Sequence, residues 1–236
     1  MIKEEFLDHI KHKLIVSCQA YPGDPLFGAD MMARMSAAAQ EGGAAAIRAN
    51  GRDDITAIKK AVALPVIGIV KRDYDDSSVY ITPTVNEIDE LLDTGVDVIA
   101  LDATQRKRPG GVTLKELTEY IRNRSDCLIM GDISTVAEGK AAMKAGCDFI
   151  STTLSGYTHY SRQSAEVDFT LINELADEFT VIAEGKIQTP EQAAEAFNYG
   201  AHAVVVGTAI TRPEVITSRF AAKIKESRGT KKVQGR

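Results

Sequence analysis

The chain alternates short, unbroken apolar runs with longer stretches whose apolar residues recur every three to four positions. The runs at 14–19, 44–48, 65–71, 96–102, 128–132, 148–154, 179–185 and 203–207 lack the in–out alternation of a half-solvated strand. They predict strands covered on both faces, as in a parallel sheet. Helical spacing between them predicts helices over 3–13, 30–41, 53–62, 113–123, 168–177 and 213–226. Three more helices open on Thr84, Thr135 and Thr189, each followed three positions later by Glu87, Glu138 or Gln192, the form of a capping box. Pro190 in the first turn strengthens the last of these starts.

A repeat runs through this pattern. Gly43, Gly95, Gly146 and Gly200 each stop a helix just before an even-numbered strand, at intervals of about fifty residues, the length of two βα units. Right-handed crossovers between eight such parallel strands close most simply into a (β/α)8 TIM barrel, with the short helix at 3–13 lying across one end. An open doubly wound sheet is the alternative, but its switch point would not require so even a spacing.

Composition narrows the class without changing the fold. The 236 residues, 44% hydrophobic and 26% charged, suit one globular domain, expected over 1–226 with a polar, basic and disordered tail at 227–236. A formal net charge of -5 speaks against nucleic acid or an anionic membrane as partner. No basic amino-terminal region leads into a long apolar run, and no stretch approaches the roughly 20 apolar residues of a membrane helix, so a cytoplasmic protein is expected. Cys18, Cys127 and Cys147 are dispersed in apolar contexts and read as core residues. His9, His12, His159 and His202 sit away from the strand ends, so neither a metal nor another cofactor is expected.

The candidate chemistry lies where the strands finish. The odd-numbered runs end on Gln19, Lys71, Asp132 and Glu184. Any one of these would pass for a solvated residue at a loop start. Four together predict a ring, because alternate strands of a barrel send side chains into one interior layer and active sites form at the carboxyl ends. Arg48 and Asp102 close even strands near the same face, and Arg212 follows the eighth. Asp102 has a second reading, as a cap or ion-pair partner of Arg106 or Lys107.

Glycines form a second constellation in Ser155-Gly156-Tyr157-Thr158, Glu184-Gly185-Lys186 and Val206-Gly207-Thr208-Ala209. Exposed backbone amides after strands six, seven and eight predict a phosphate site. Phosphate beside a lysine, carboxylates and an arginine suits proton transfer next to a carbonyl. A lysine acts as base near neutral pH only where its surroundings favour the neutral amine. Glu184 or Asp132 would move a hydroxyl proton during ring opening or polarise the carbonyl.

Together with Ile67-Gly-Ile-Val-Lys71-Arg72, Ala100-Leu-Asp102-Ala-Thr104 and Met130-Gly-Asp132-Ile-Ser134-Thr135, these motifs resemble the N-acetylmannosamine-6-phosphate 2-epimerase family from the first strand to the last helix. The resemblance implies a ribulose-phosphate-binding barrel that interconverts N-acetylmannosamine 6-phosphate and N-acetylglucosamine 6-phosphate in bacterial sialic acid catabolism. It implies Lys71 as acid/base at C2 with Glu184 as partner. It assigns Gln19, Arg48, Asp132, Tyr157 and Arg212 to substrate binding, and Gly156, Gly185, Lys186, Gly207 and Thr208 to the phosphate. The implied assembly is a homodimer. Two rival readings stay open: a lyase in which Lys71 forms a Schiff base, and a non-catalytic phosphosugar-binding protein.

Overall fold

A computed structural model describes residues 2–230. The predicted alternation is present: α1 (Lys3–Ile10), β1 (Leu14–Cys18), α2 (Ala29–Glu41), β2 (Ala46–Asn50), α3 (Arg52–Ala61), β3 (Val66–Ile69), α4 (Val85–Leu92), β4 (Val98–Asp102), α5 (Leu114–Arg122), β5 (Leu128–Asp132), α6 (Val136–Lys144), β6 (Phe149–Ser151), α7 (Phe169–Ala176), β7 (Val181–Ala183), α8 (Pro190–Asn198), β8 (Ala203–Val206), α9 (Thr208–Thr211) and α10 (Pro213–Thr230). Each strand pairs in parallel with the next, and β8 pairs with β1, which closes the barrel.

Two apolar layers follow from that closure. Inside, Ile15, Ile67, Ile69, Val98, Met130, Phe149, Ile182 and Val205 fill the barrel. Outside, Val16, Ile47, Ile99, Ile129, Ile150 and Val204 pack against the helices. Neighbouring positions on a strand face opposite layers, and both layers are dry. The runs therefore read as continuous apolar sequence rather than alternation.

α1 seals the amino-terminal end. Phe6 and Ile10 are buried with the interior layer, and Phe6 stacks on Phe149 with ring centroids 5.6 Å apart. The imidazole Nε2 of His202 lies 2.8 Å from the Leu7 carbonyl and that of His9 lies 2.9 Å from the Ala45 carbonyl, which ties the helix to the barrel rim.

The sheet's outer face demands a glycine at one point. A Cβ on Gly68 would lie 2.8 Å from Val96 Cγ2 and 2.9 Å from Leu91 Cδ2, so only Gly lets α4 and the chain entering β4 approach β3 this closely.

Several boundaries differ from expectation. α1 stops at Ile10 rather than 13, and β6 and β7 are shorter at both ends. β3 ends at Ile69, two residues before Lys71. Beyond Ile69 the backbone pairs with its own excursion: Thr82 N–H donates to the Val70 carbonyl, Arg72 N–H to the Tyr80 carbonyl, and Lys71 bridges to Ile81. The last helix runs to Thr230, so 227–230 are helical rather than part of a tail, and 231–236 lie outside the described residues.

Thr84 forms the full capping box with Glu87. Thr135 and Thr189 cap their helices, but their partners do something else. Glu138 accepts from Ser134 and from the Gln105 N–H, and Gln192 accepts from the Gln188 N–H.

Candidate active site

The carboxyl ends of the strands surround a cavity of about 290 Å³. Gln19, Arg48, Lys71, Tyr157, Glu184, Gly185, Lys186, Gly207, Thr208 and Arg212 all line it. Ten of the twelve residues that the resemblance assigns therefore share one space.

Its floor is an ion cluster. Arg48, on β2, is 1% exposed, and its guanidinium donates to both oxygens of Asp132 at 2.6 and 3.0 Å and to Glu184 Oε2 at 2.7 Å. The Thr153 hydroxyl lies 2.7 Å from Asp132 and 3.0 Å from Glu184, completing the network. Burial alone would lower the Arg48 pKa, but Asp132 and Glu184 reverse this and hold it above the ordinary guanidinium value. Arg48 is a fixed cation.

Glu184 differs from Asp132 in access. Asp132 ends β5 wholly buried, does not reach the cavity wall, and has both oxygens committed to Arg48 and Thr153. It supports Arg48 from below. Glu184 follows β7 and lines the wall with one oxygen on Arg48. Burial raises its pKa above the usual carboxylate range, and neighbouring Asp132 adds to this while Arg48, Thr153 and Lys71 oppose it. A carboxyl made a weaker acid by burial takes up a proton more readily than an ordinary glutamate.

Lys71 reaches the cavity from the far side, partly exposed rather than desolvated by its strand. Its Nζ donates to Tyr21 Oη at 2.6 Å and stands 4.9 Å from the ring centroid. Tyr21 is held by the loop after β1, where its N–H donates to Asp24 Oδ2. Gln19 donates to Ser17 Oγ at 2.7 Å, and its Oε1 is buried without a partner.

The opposite wall carries the glycines. Gly207 leads into the short α9, whose leading amides have no acceptor within the helix. Gly185 has φ +104° and brings Lys186 round at φ +61°, so the chain turns sharply at the rim. Lys186 directs its ammonium away, to the Ser164 carbonyl and over the Tyr157 ring at 5.1 Å. Gly156 does not line the cavity. It lies under the Lys186 side chain, which occupies the place a Cβ would take. Arg212 donates to Asp24 at 3.2 Å and to Glu214 at 2.6 Å.

Asp102 closes β4 as predicted but also misses the cavity. It accepts from the Thr104 N–H and hydroxyl and from Arg106, the cap and ion pair of its second reading. Burial raises its pKa, opposed first by Arg106. Among the described residues no group of His, Cys, Asp and Glu side chains could hold a metal ion.

A family model described as "Putative N-acetylmannosamine-6-phosphate epimerase" matches residues 32–226. The chain belongs to the N-acetylmannosamine-6-phosphate 2-epimerase family. A relative carrying that name from Clostridium perfringens, strain SM101, is 55% identical over 221 residues, 93% of this chain and 100% of the relative. Another from Caldanaerobacter subterraneus is 51% identical over 227 residues, covering 95% and 96%. The solved structure of the Clostridium perfringens epimerase superposes with a TM-score of 0.89 at 54% identity, covering 92% of this chain and 95% of that one. A Pyrococcus furiosus thiamine phosphate pyrophosphorylase, 18% identical with a TM-score of 0.59, shares the barrel.

Within this family member, sequence reasoning missed Ser17, Tyr21, Tyr80, Thr153, Gln188 and Thr211 on the cavity wall. Ser17 was within reach, since it stands two positions before Gln19 in the apolar run 14–19, where alternate residues share a face. Tyr21 and Tyr80 come from loops with no periodicity to read. Burial, with Tyr21 and Asp132 nearby, pushes the Tyr80 phenol up to about 12, so it stays a neutral donor at the mouth.

Proposed function

We propose that this protein interconverts N-acetylmannosamine 6-phosphate and N-acetylglucosamine 6-phosphate. The observation that carries the reading is the gathering of two proton-capable side chains, Lys71 and Glu184, around one cavity with Arg212 and the Gly207–Thr208 turn. In the open-chain sugar the C2 proton lies next to the C1 carbonyl. Lys71 takes this proton, the C–H electron pair forms a C1–C2 double bond as the carbonyl π pair moves onto the C1 oxygen, and a proton returned to C2 from the opposite face gives the epimer. Glu184 is the partner that delivers or collects the second proton. Arg48 is a fixed charge beside the developing oxyanion. Gln19 and Tyr157 hold the sugar, with Asp132 acting through Arg48. Gly185, Gly207, Thr208 and Arg212 hold the phosphate, whose charge would draw Arg212 away from Asp24.

Proton NMR of the protein with N-acetylmannosamine 6-phosphate in heavy water tests this. The C2 epimer carrying deuterium at C2 is expected. Failure to form that epimer overturns the reading, and a borohydride-trapped adduct at Lys71 would move the chemistry to a Schiff base.

The same reading places the enzyme in sialic acid catabolism in the cytoplasm, and no helix among the described residues is long and apolar enough to cross a membrane. A homodimer is proposed as its assembly. α10 packs within the chain chiefly against α9. Phe220 is 69% and Ile224 55% exposed on it, an apolar face that a second copy would cover.

A further inference from the structure

Lys71 is the acid–base group of the proposed epimerisation, and the inference drawn here rests on that reading. A lysine loses more rotamer freedom on being fixed than almost any other side chain, yet a base must be held within hydrogen-bond reach of its proton. Among the described residues the Lys71 Nζ has one hydrogen-bond partner, Tyr21 Oη at 2.6 Å, and it stands 4.9 Å from the centroid of the same ring. A single side chain thus limits both the distance and the direction of the amine.

Tyr21 comes from a loop and is 46% exposed, so its own place needs a cause. Residues 21–24 form a tight turn, in which Asp24 N–H donates to the Tyr21 carbonyl at 2.9 Å across Pro22 and Gly23. Gly23 has φ +96°, and proline followed by a residue of positive φ is the pattern of a type II turn. The Tyr21 N–H donates in return to Asp24 Oδ2 at 2.8 Å. The other oxygen of that carboxylate, Oδ1, accepts from Arg212 Nη2 at 3.2 Å. Asp24 therefore touches both ends of the cavity. Through Tyr21 it reaches the lysine, and through Arg212 it reaches the proposed seat of the phosphate.

We propose that Tyr21 is the positioning residue for Lys71, and that Asp24 couples it to the phosphate held at Arg212. The Asp24 carboxylate divides its charge between a guanidinium and an amide. A phosphate competes for the guanidinium and leaves that charge to the Tyr21 N–H, a charge-assisted bond that strengthens as its rival departs. The turn tightens, and the hydroxyl that holds Lys71 is fixed when the phosphate end of a substrate is in place. A sugar lacking phosphate meets a lysine held less firmly.

The full chain, labelled with nitrogen-15, is titrated with inorganic phosphate. The Tyr21 amide proton should move downfield saturably, and the Nζ correlation of Lys71 should sharpen. Tyr21→Phe keeps the ring and drops the hydroxyl, and it should broaden the Lys71 correlation beyond detection. Asp24→Asn keeps the shape and drops the charge, and it should abolish the response of the Tyr21 amide. A Tyr21 amide that ignores phosphate in the parent, an unchanged response in Asp24→Asn, or an undisturbed Lys71 correlation in Tyr21→Phe overturns the proposal. With N-acetylmannosamine 6-phosphate, Tyr21→Phe should lower kcat about tenfold with KM unchanged, the split expected of a misplaced base. A raised KM with kcat unchanged overturns the positioning role. A parent that fails to epimerise this sugar overturns the underlying reaction instead, and the nitrogen-15 signals still decide the contact.

Discussion

Lys71 and Glu184 face one cavity from opposite sides of the barrel, and the groups around them differ in kind. Lys71 meets a tyrosine hydroxyl at a partly open edge, whereas Glu184 sits on a buried guanidinium. Lys71→Ala and Glu184→Gln should each lower kcat by about 10²–10⁴-fold, the usual weight of a general acid–base group, with unchanged circular dichroism. A pH profile separates their roles. The Glu184 pKa is raised, so its carboxylate is lost at a higher pH on acidification than an ordinary glutamate would be. If Glu184 works as a carboxylate, the acidic limb of kcat/KM lies above the usual carboxylate range and moves in Glu184→Asp. A limb at an ordinary carboxylate value would remove Glu184 from that role. Most of these residues were legible because each ends an apolar run on a polar side chain that such a run has no structural use for. Asp102 shows the limit of that signal: it has the same sequence context, but Thr104 and Arg106 consume it. Thr153, Tyr21 and Tyr80 carried no signal, because a loop residue's direction is set by tertiary contacts that sequence spacing does not encode.

The elements were legible as a set and misjudged at their ends, for a physical reason. An apolar run marks where side chains are dry, and a strand marks where backbone groups find a neighbouring ladder. At β3 these differ: Val70 is buried, yet its carbonyl bonds Thr82 of the following excursion rather than the next strand. The capping boxes divided the same way, since Glu138 had a better use in joining Ser134, Gln105 and Tyr160 than in returning to Thr135. Gly68 offers a test at this scale. The Cβ of Gly68→Ala would press on Val96 and Leu91, and overpacking of this kind costs about 1–3 kcal/mol. Denaturant unfolding should show that loss. Stability equal to the parent would mean that α4 can yield without cost.

At the scale of the molecule, the glycine repeat was enough to read a closed barrel, because four evenly spaced helix stops leave little room for any other arrangement of eight parallel strands. The last helix was harder. Its exposed Phe220 and Ile224 have no meaning within one chain, and a single sequence does not contain the surface that would cover them. If the proposed dimer forms through this face, Phe220→Asp with Ile224→Asp should shift sedimentation toward monomer at fixed concentration. An undisturbed dimer would place the contact elsewhere. The helix α1, with Phe6 stacked on Phe149, has a kinetic consequence for the whole molecule. A barrel stoppered at its base is a vessel with one door. Under the proposed activity both epimers must enter and leave by the same mouth, so neither can follow the other through. Each should then inhibit the reverse reaction in a strictly competitive way, and initial-rate measurements with both sugars present should give lines meeting on the reciprocal-rate axis. A mixed pattern would mean that the two epimers leave different protonation forms of the enzyme that interconvert slowly.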